Sequence, residues 1–211
     1  MKIKKHDNPD FEKLAQCAST SKTKPAFQVV YFDEEYAVAS DGMRLFATKT
    51  LVLAEKGSYE IRPYAEEGTL TKAKTDFPAW RTLVHSDFKY KVGFTVPEFV
   101  EKLNPEQKPS RAPITFVVTG EIVDDKPVIR TELGISELGV GQYHYSVNLA
   151  QLKPFAGQTV QILLPSDNSK PMVITLSTSA STNPFDYDSF MIIARAKMTD
   201  SNWGITATQP V

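Results

Sequence analysis

The sequence predicts an α+β fold in which strands dominate, and three observations support it. Apolar and polar residues alternate over short runs along most of the chain, which is the period of a half-buried strand. Only three segments show helical spacing, and each starts at a capping residue. Three short helices cannot enclose a core alone, so we expect them to lie on one face of β-sheets.

Each predicted helix begins at a capping signal. Asn8 can cap the first helix, in which apolar residues recur at the spacing of one helical face. Thr95 and Glu98 have the pattern of a capping box for the second helix, and Asn148 with Gln151 repeats it for the third. The predicted helices span residues 8–20, 95–104 and 148–157.

The predicted strands begin with a meander. Strand-like runs follow one another early in the chain, separated by the acidic turn at residues 33–35 and by the Asp41-Gly42 hairpin turn. Later runs are equally short, rich in β-branched and aromatic residues, and bounded by turn-forming residues. The predicted strands span residues 27–32, 36–40, 43–47, 114–118, 127–133, 142–147, 159–164, 172–177 and 189–196.

Composition places the chain among ordinary globular proteins. Of its 211 residues, 41% are hydrophobic and 23% are charged, and the formal net charge is −1. A net charge near zero excludes a wholly basic nucleic-acid binder, so any DNA contact must be a local patch. The longest purely apolar run, at residues 190–194, is far shorter than the roughly 20 residues of a membrane-spanning helix. With one cysteine and no apolar leader segment, the sequence predicts a cytoplasmic protein without a membrane span.

Catalytic and metal-binding patterns are missing from the sequence. The three histidines lie far apart, and none has a companion at the spacing of a metal site. Gly134 and Gly139 have the spacing of a phosphate loop, but the lysine and hydroxyl residue that hold phosphate and magnesium do not follow. No Gly-x-Ser-x-Gly nucleophile elbow is present. The sequence therefore predicts that the protein is not an enzyme and has no cofactor or metal.

Three motifs resemble segments of one protein family, in the order that the family has them. The string Tyr-Ala-Val-Ala-Ser-Asp-Gly-Met-Arg-Leu-Phe-Ala at residues 36–47 resembles the strand, Thr-Asp-Gly-His-Arg-Leu turn and strand of the middle domain of bacterial DNA polymerase III β subunits, the sliding clamps. Phe-Pro-Ala-Trp-Arg-Thr-Leu at residues 77–83 is similar to the Phe-Pro-Asp-Tyr-Arg-Arg-Val stretch that leads into the last clamp domain. Residues 190–198 are similar to the end of the clamp chain, although Ala194 replaces a proline. The resemblance covers most of residues 9–198.

The resemblance implies a clamp-like fold of two β-rich domains with short helices on one face of the sheets. A bacterial clamp has three domains per chain and closes as a dimer, whereas this chain offers at most two domains. The first lacks the second helix expected after Ala47, so we interpret residues 1–87 as an abbreviated clamp-like domain and linker, 88–198 as a clamp-like domain and 199–211 as a tail. A closed ring of such chains would be a homotrimer.

In clamps the helices line a hole that surrounds double-stranded DNA, and cations contact the backbone without reading sequence. The resemblance therefore implies a sequence-independent DNA surface made by lysines on or after the predicted helices. Isolated surface lysines also occur simply as solubilising residues, and this alternative stays open for each of them. The predicted DNA-binding residues are Lys13, Lys22, Lys24, Lys102 and Lys153.

The resemblance also implies a hydrophobic groove that docks DNA polymerase or other replication proteins through a short peptide. An apolar floor would take leucine or aromatic anchors, while an arginine and backbone groups would bind the polar atoms of the peptide. The alternative is that the apolar members simply form an interdomain core. The predicted peptide-binding residues are Ser40, Gly42, Met43, Arg44, Leu45, Pro78, Leu83, Met191, Ile193 and Ala194.

Three functions remain open on the sequence. The first is a sliding-clamp-like processivity factor of DNA replication. The second is a clamp-derived adaptor that binds replication proteins without encircling DNA, which an abbreviated first domain would permit. The third is an unrelated α+β binding module of a phage or mobile element whose hairpins mimic the motifs.

Overall fold

β-Strands form most of the structure, a computed structural model that describes residues 2–4, 10–49, 55–60, 67–69, 71–98, 113–123, 126–133, 143–177 and 179–195. The one α-helix in these ranges is α1 (Phe11–Cys17), and four 3-10 helices span Pro25–Phe27, Trp80–Leu83, Leu149–Phe155 and Pro184–Asp186. The strands are β1 (Lys2–Lys4), β2 (Val29–Phe32), β3 (Tyr36–Ser40), β4 (Arg44–Lys49), β5 (Gly57–Glu60), β6 (Glu67–Thr69), β7 (Thr71–Lys72), β8 (Phe88–Thr95), β9 (Pro113–Val123), β10 (Lys126–Leu133), β11 (His144–Asn148), β12 (Thr159–Pro165), β13 (Met172–Thr175) and β14 (Ser189–Ile193).

The central element is a nine-stranded antiparallel sheet with the order β7-β5-β2-β3-β4-β14-β13-β12-β8. A three-stranded sheet, β10-β9-β11, and a two-stranded sheet, β1-β6, accompany it. The strand-rich α+β class predicted from the sequence is confirmed.

One seam joins early and late parts of the chain within the central sheet. β4 pairs with β14, with Leu45 opposite Ile192 and Phe46 opposite Met191. All strands on one side of the seam come from before Ala73, and all strands on the other side come from Phe88 onwards. The seam therefore makes one sheet out of segments that are distant in sequence.

The central strands of this sheet, β3, β4, β14 and β13, are buried on both faces, and their alternate residues divide between the two faces. On the side that we call the helix face, Leu14 of α1 and Phe155 of the 3-10 helix Leu149–Phe155 pack in one cluster with Phe46 and Met191. On the opposite side, which we call the linker face, the segment at residues 77–88 supplies Trp80 and packs against β3, β4 and β14. The first and third predicted helices share one face of the sheet, as predicted, whereas the 3-10 helices Trp80–Leu83 and Pro184–Asp186 lie on the linker face.

The predicted helices are corrected in detail. α1 is shorter than predicted, because Ala18 adopts an extended conformation after donating its N–H to the Leu14 carbonyl. The third helix has the predicted Asn148 capping box, but it is a 3-10 helix with Pro154 inside it. The predicted start of the second helix is wrong, because Thr95 ends β8; the rest of that helix falls mainly on residues 99–104, outside the described residues.

The predicted strands do not include β8, of which the sequence indicated only the end, at residues 93–96. β8 pairs with β12 and alternates strictly, since Phe88, Tyr90, Val92 and Phe94 are half-buried and the residues between them are exposed. That period-two pattern is present in the sequence, directly after the predicted boundary between linker and domain.

Candidate functional site

The three segments predicted to form a docking groove meet at one end of the seam. The Ala194 N–H, just after β14, donates to the Met43 carbonyl at 2.9 Å. The ring of Phe27 lies 3.6 Å from the position that a Cβ would take at Gly42, and its centroid is 6.3 Å from that of Phe77. The hairpin tip, the end of β14 and the Phe-Pro segment therefore lie side by side.

Local hydrogen bonds fix the shape of the hairpin tip. Asp41 Oδ1 accepts from the backbone N–H groups of Met43 and Arg44, at 2.8 and 2.9 Å. Ser40 Oγ accepts from the Gly42 N–H at 3.0 Å and donates to the Arg44 carbonyl at 2.8 Å. Gly42 has φ of 88°, a left-handed conformation that side chains other than glycine rarely adopt. The tip is therefore a rigid turn that presents Met43 outwards.

Several predicted groove residues are exposed. Met43 is 48% exposed and Leu83 is 53% exposed. Pro78 and Gly42 are also exposed, and Ala194 is half-buried. These residues are available to a docking partner without any rearrangement.

The other apolar members of the predicted set are buried, and they lie on opposite faces of the sheet. Leu45 packs on the linker face with Trp80, whereas Met191 and Ile193 pack on the helix face with α1. Leu45 is 4% exposed, and Met191 and Ile193 are fully buried. These three side chains therefore belong to the buried core on the two faces of the seam.

The guanidinium of Arg44 forms its hydrogen bonds with other groups of this chain. Nε donates to Asp41 Oδ2 at 3.1 Å, one terminal nitrogen reaches the carbonyls of Gln151 at 3.1 Å and Ala150 at 3.4 Å, and the other reaches the Gln16 carbonyl at 2.8 Å. The side chain is only 14% exposed. Arg44 thus connects the hairpin to α1 and to the 3-10 helix Leu149–Phe155. These bonds occupy the nitrogens that were predicted to bind the polar atoms of a peptide.

Aromatic side chains close the linker face around Tyr36, at the end of β3 away from the hairpin tip. Tyr36 packs edge-on against Trp80 and Phe190, and its hydroxyl donates to the Phe185 carbonyl at 3.1 Å. Burial raises the pKa of Tyr36 to about 12, with Glu35 adding to the shift and Arg81 opposing it.

The guanidinium of Arg81 lies over the Trp80 ring at 4.9 Å and pairs with Asp33 at 3.0 Å. Sequence motifs had singled out residues 77–83 but not this aromatic cluster, because its members are scattered along the chain.

The predicted DNA-binding lysines have different surroundings. Lys13 pairs with Asp10 at 2.8 Å, is 12% exposed, and lies over the rings of Phe46 and Phe155 at about 6 Å. Lys22, Lys24 and Lys153 are exposed. Lys102 lies outside the described residues. The structure therefore leaves three of the predicted lysines on the surface and turns Lys13 inward.

The described residues contain neither a membrane-spanning helix nor a cluster of metal-binding side chains. Within the described ranges, no helix is long and apolar enough to span a membrane. No group of three or more His, Cys, Asp or Glu side chains in those ranges could hold a metal ion.

Comparison with known proteins identifies the fold. No family model matches the sequence, and no curated protein matches it. Among solved structures, the DNA polymerase III subunit β of Borrelia burgdorferi matches with a TM-score of 0.61 at 13% identity, covering 94% of this chain and 63% of that one. The DNA polymerase sliding clamp of Bacillus subtilis matches with a TM-score of 0.59 at 13% identity, covering 94% of this chain and 64% of that one. The DNA polymerase sliding clamp of Pseudomonas aeruginosa matches with a TM-score of 0.60 at 9% identity, covering 94% of this chain and 66% of that one.

These matches confirm the clamp-like fold that the three sequence motifs suggested. The chain spans less than two thirds of the length of the clamps that it matches, at 63% to 66% of each.

Proposed function

We propose that this chain is a non-enzymatic, sliding-clamp-like processivity factor of DNA replication, acting in the cytoplasm. It binds duplex DNA without sequence preference and docks DNA polymerase or other replication proteins through a peptide groove. The observation that supports this most strongly is the clamp fold, which extends over 94% of the chain. The site geometry agrees, because the three segments that carry the family motifs meet at the seam.

The docking part of the proposal rests on exposed apolar residues of the hairpin tip and of the segment at residues 77–83, chiefly Met43, Pro78 and Leu83. Burying each leucine or phenylalanine anchor of a partner there contributes about 1.5–3 kcal/mol. Micromolar binding corresponds to about 8 kcal/mol after ordering costs, so it needs several such anchors together with backbone hydrogen bonds. Met43→Glu and Leu83→Glu, both at exposed positions, should abolish binding of a leucine-phenylalanine peptide in calorimetry while leaving the unfolding midpoint unchanged. Unchanged peptide binding in both variants would contradict a groove at this place.

The DNA part of the proposal uses the exposed lysines Lys22, Lys24 and Lys153. Contacts to phosphates release counterions, so the logarithm of the binding constant should fall with the logarithm of salt concentration, by about 0.9 per contact. Fluorescence anisotropy with a random duplex should show this slope, and replacing the three lysines by glutamate should flatten it by roughly one unit per lysine that contacts a phosphate. Strong sequence preference, or an unchanged slope, would contradict the sliding interpretation.

The number of chains in the assembly separates this function from the adaptor alternative. A ring of two-domain chains needs three copies to reach the six domains of a clamp, so light scattering should give three times the mass of one chain. One observation favours the adaptor: the second sheet of the early part, within the described residues, is only the two-stranded pair β1-β6. A monomer or dimer that binds the peptide but not DNA would establish the adaptor.

A further inference from the structure

One exposed sulfur atom lies in the surface that we propose for docking. Met43 at the hairpin tip is 48% exposed. The other sulfur-bearing residues that the structure describes, Cys17, Met172 and Met191, are fully buried. The sulfur atoms of Cys17 and Met191 lie 3.9 Å apart on the helix face. Within the described ranges, only the Met43 thioether can therefore meet a dissolved oxidant while the chain stays folded.

The backbone of the hairpin holds Met43 in place at the surface. Its N–H donates to Asp41 Oδ1 at 2.8 Å, and its carbonyl accepts from the Ala194 N–H at 2.9 Å. Neither bond uses the side chain of Met43. An oxygen atom added to the sulfur therefore leaves these hydrogen bonds of the tip intact. The change is confined to the surface that a partner would contact.

We infer that Met43 is a modification site, at which hydrogen peroxide converts the thioether to the sulfoxide and so weakens docking of the partner. This inference rests on the proposed docking function and assigns it a means of regulation. The turn of the clamps that the sequence resembles has histidine where this chain has Met43. A turn with histidine has no thioether to oxidise at this place.

The oxidation consumes one peroxide for each methionine. A lone pair of the sulfur attacks one peroxide oxygen, so that an S–O bond forms while the O–O bond breaks. The other oxygen leaves as hydroxide and becomes water by taking the proton of the first. Sulfur loses two electrons and the peroxide gains them. A methionine sulfoxide reductase reverses the change, because two thiols become a disulfide while the sulfoxide oxygen leaves as water.

The sulfoxide replaces a weakly polar sulfur by a strong hydrogen-bond acceptor. In the free chain this oxygen contacts water, because Met43 is half exposed. When an apolar anchor of a partner covers the tip, the oxygen loses its water and gains no donor in exchange. The oxidised chain should therefore bind an apolar peptide about tenfold more weakly, which corresponds to losing the burial of roughly half a methionine side chain. Pro78 and Leu83 carry no sulfur and keep their surfaces.

Mild oxidation of the full chain tests the inference. After treatment with hydrogen peroxide, peptide mapping by mass spectrometry should find an added oxygen on Met43, while Met172 and Met191 remain reduced. Calorimetry with the leucine-phenylalanine peptide should then give the weaker affinity, and a sulfoxide reductase supplied with a dithiol should restore it. Met43→Leu has no sulfur at the tip, so its affinity should be the same before and after peroxide, whatever value it starts from. Met43→Gln carries a polar side chain permanently and should bind weakly without any peroxide.

The results separate the inference from the proposed function. If the untreated chain does not bind the peptide, the docking function itself fails. If it binds and oxidation of Met43 leaves the affinity unchanged, docking stands and the inference is overturned. An equal loss of affinity in Met43→Leu after peroxide would assign the effect to another residue and overturn it too. Oxidation of Met172 or Met191 as fast as Met43, with a lowered denaturant midpoint, would show that peroxide acts through the core and would also overturn it.

Discussion

The two faces of the sheet at the β4–β14 seam are built differently, although the same strands supply both. On the helix face, Met191 and Ile193 are fully buried and the Arg44 guanidinium bonds to backbone carbonyls. On the linker face, Trp80 is buried, but the Arg81 side chain that covers it is 48% exposed. One face is closed to solvent, whereas the other is closed by side chains that still contact solvent.

Because of this difference, neighbouring residues at the seam should have different roles, some in stability and others in partner binding. A residue that faces α1 holds the two parts of the chain together, so changing it should affect stability. An exposed residue at the hairpin tip or in the linker, such as Met43 or Leu83, should affect partners alone. Four changes, from the largest expected effect to the smallest, test this division.

Met191→Lys should be the most damaging change, because it puts an unpaired charge into the fully buried helix face. We expect it to destabilise the protein by about 5 kcal/mol or more, enough to unfold it. If Met191 lined an open groove, a charge here would abolish docking and spare the fold, but this side chain is fully buried. Circular dichroism with chemical denaturation measures the loss. Met43→Lys adds the same charge at an exposed position and should keep its midpoint; a folded Met191→Lys would contradict the division.

Arg44→Ala should come next, because it removes several hydrogen bonds that cross the seam and leaves Asp41 without its partner. The expected loss is about 3 kcal/mol, typical of breaking a mostly buried charged network. Arg44→Lys keeps the charge, but a lysine cannot bond to three partners at once. Its denaturant midpoint should therefore lie between that of the unaltered protein and that of Arg44→Ala. A loss below about 0.5 kcal/mol in Arg44→Ala would mean that the network does not fasten the seam, since that is the size of an ordinary surface change.

The sequence predicted the fold class and the meeting of three distant segments, but not which face each residue occupies. Motif order was enough to bring the hairpin, residues 77–83 and the last strand together. Facing depends on register, and a shift of one residue moves every side chain of a strand to the other face. Leu45 and Met191 therefore looked equivalent in sequence, yet they point to opposite sides of the sheet. The burial of Lys13 could not be predicted from the sequence either, because the rings that it packs on, Phe46 and Phe155, come from remote segments.

Arg81→Ala should cost less than either change on the helix face. The guanidinium contacts the rings of Trp80 and Phe185 and pairs with Asp33, but half of its side chain is in solvent. Exposed cation–π contacts and ion pairs contribute about 1 kcal/mol together. Arg81→Lys should recover part of that loss, and the measurement is again the denaturant midpoint. A loss as large as that of Arg44→Ala would show that the linker face is as closed as the helix face.

The smallest effect at neutral pH belongs to Cys17, which is fully buried beside Met191 on the helix face. Burial raises the pKa of its thiol from 9.0 to about 12, with Arg44 lowering it and Asp41 raising it to a smaller degree. The neutral thiol is thus favoured in the folded protein, and its contribution to stability is complete below pH 9 and is lost as pH rises from 9 towards 12. Cys17→Ala should lower the denaturant midpoint at pH 7 slightly, because it removes one buried sulfur atom, and should flatten the fall of the midpoint between pH 9 and 11. Iodoacetamide at pH 8 should label the native thiol about a thousandfold more slowly than the unfolded one, from the thiolate fraction alone. Rapid labelling of the folded chain would mean that solvent reaches the helix face, and the difference between the two faces would no longer hold.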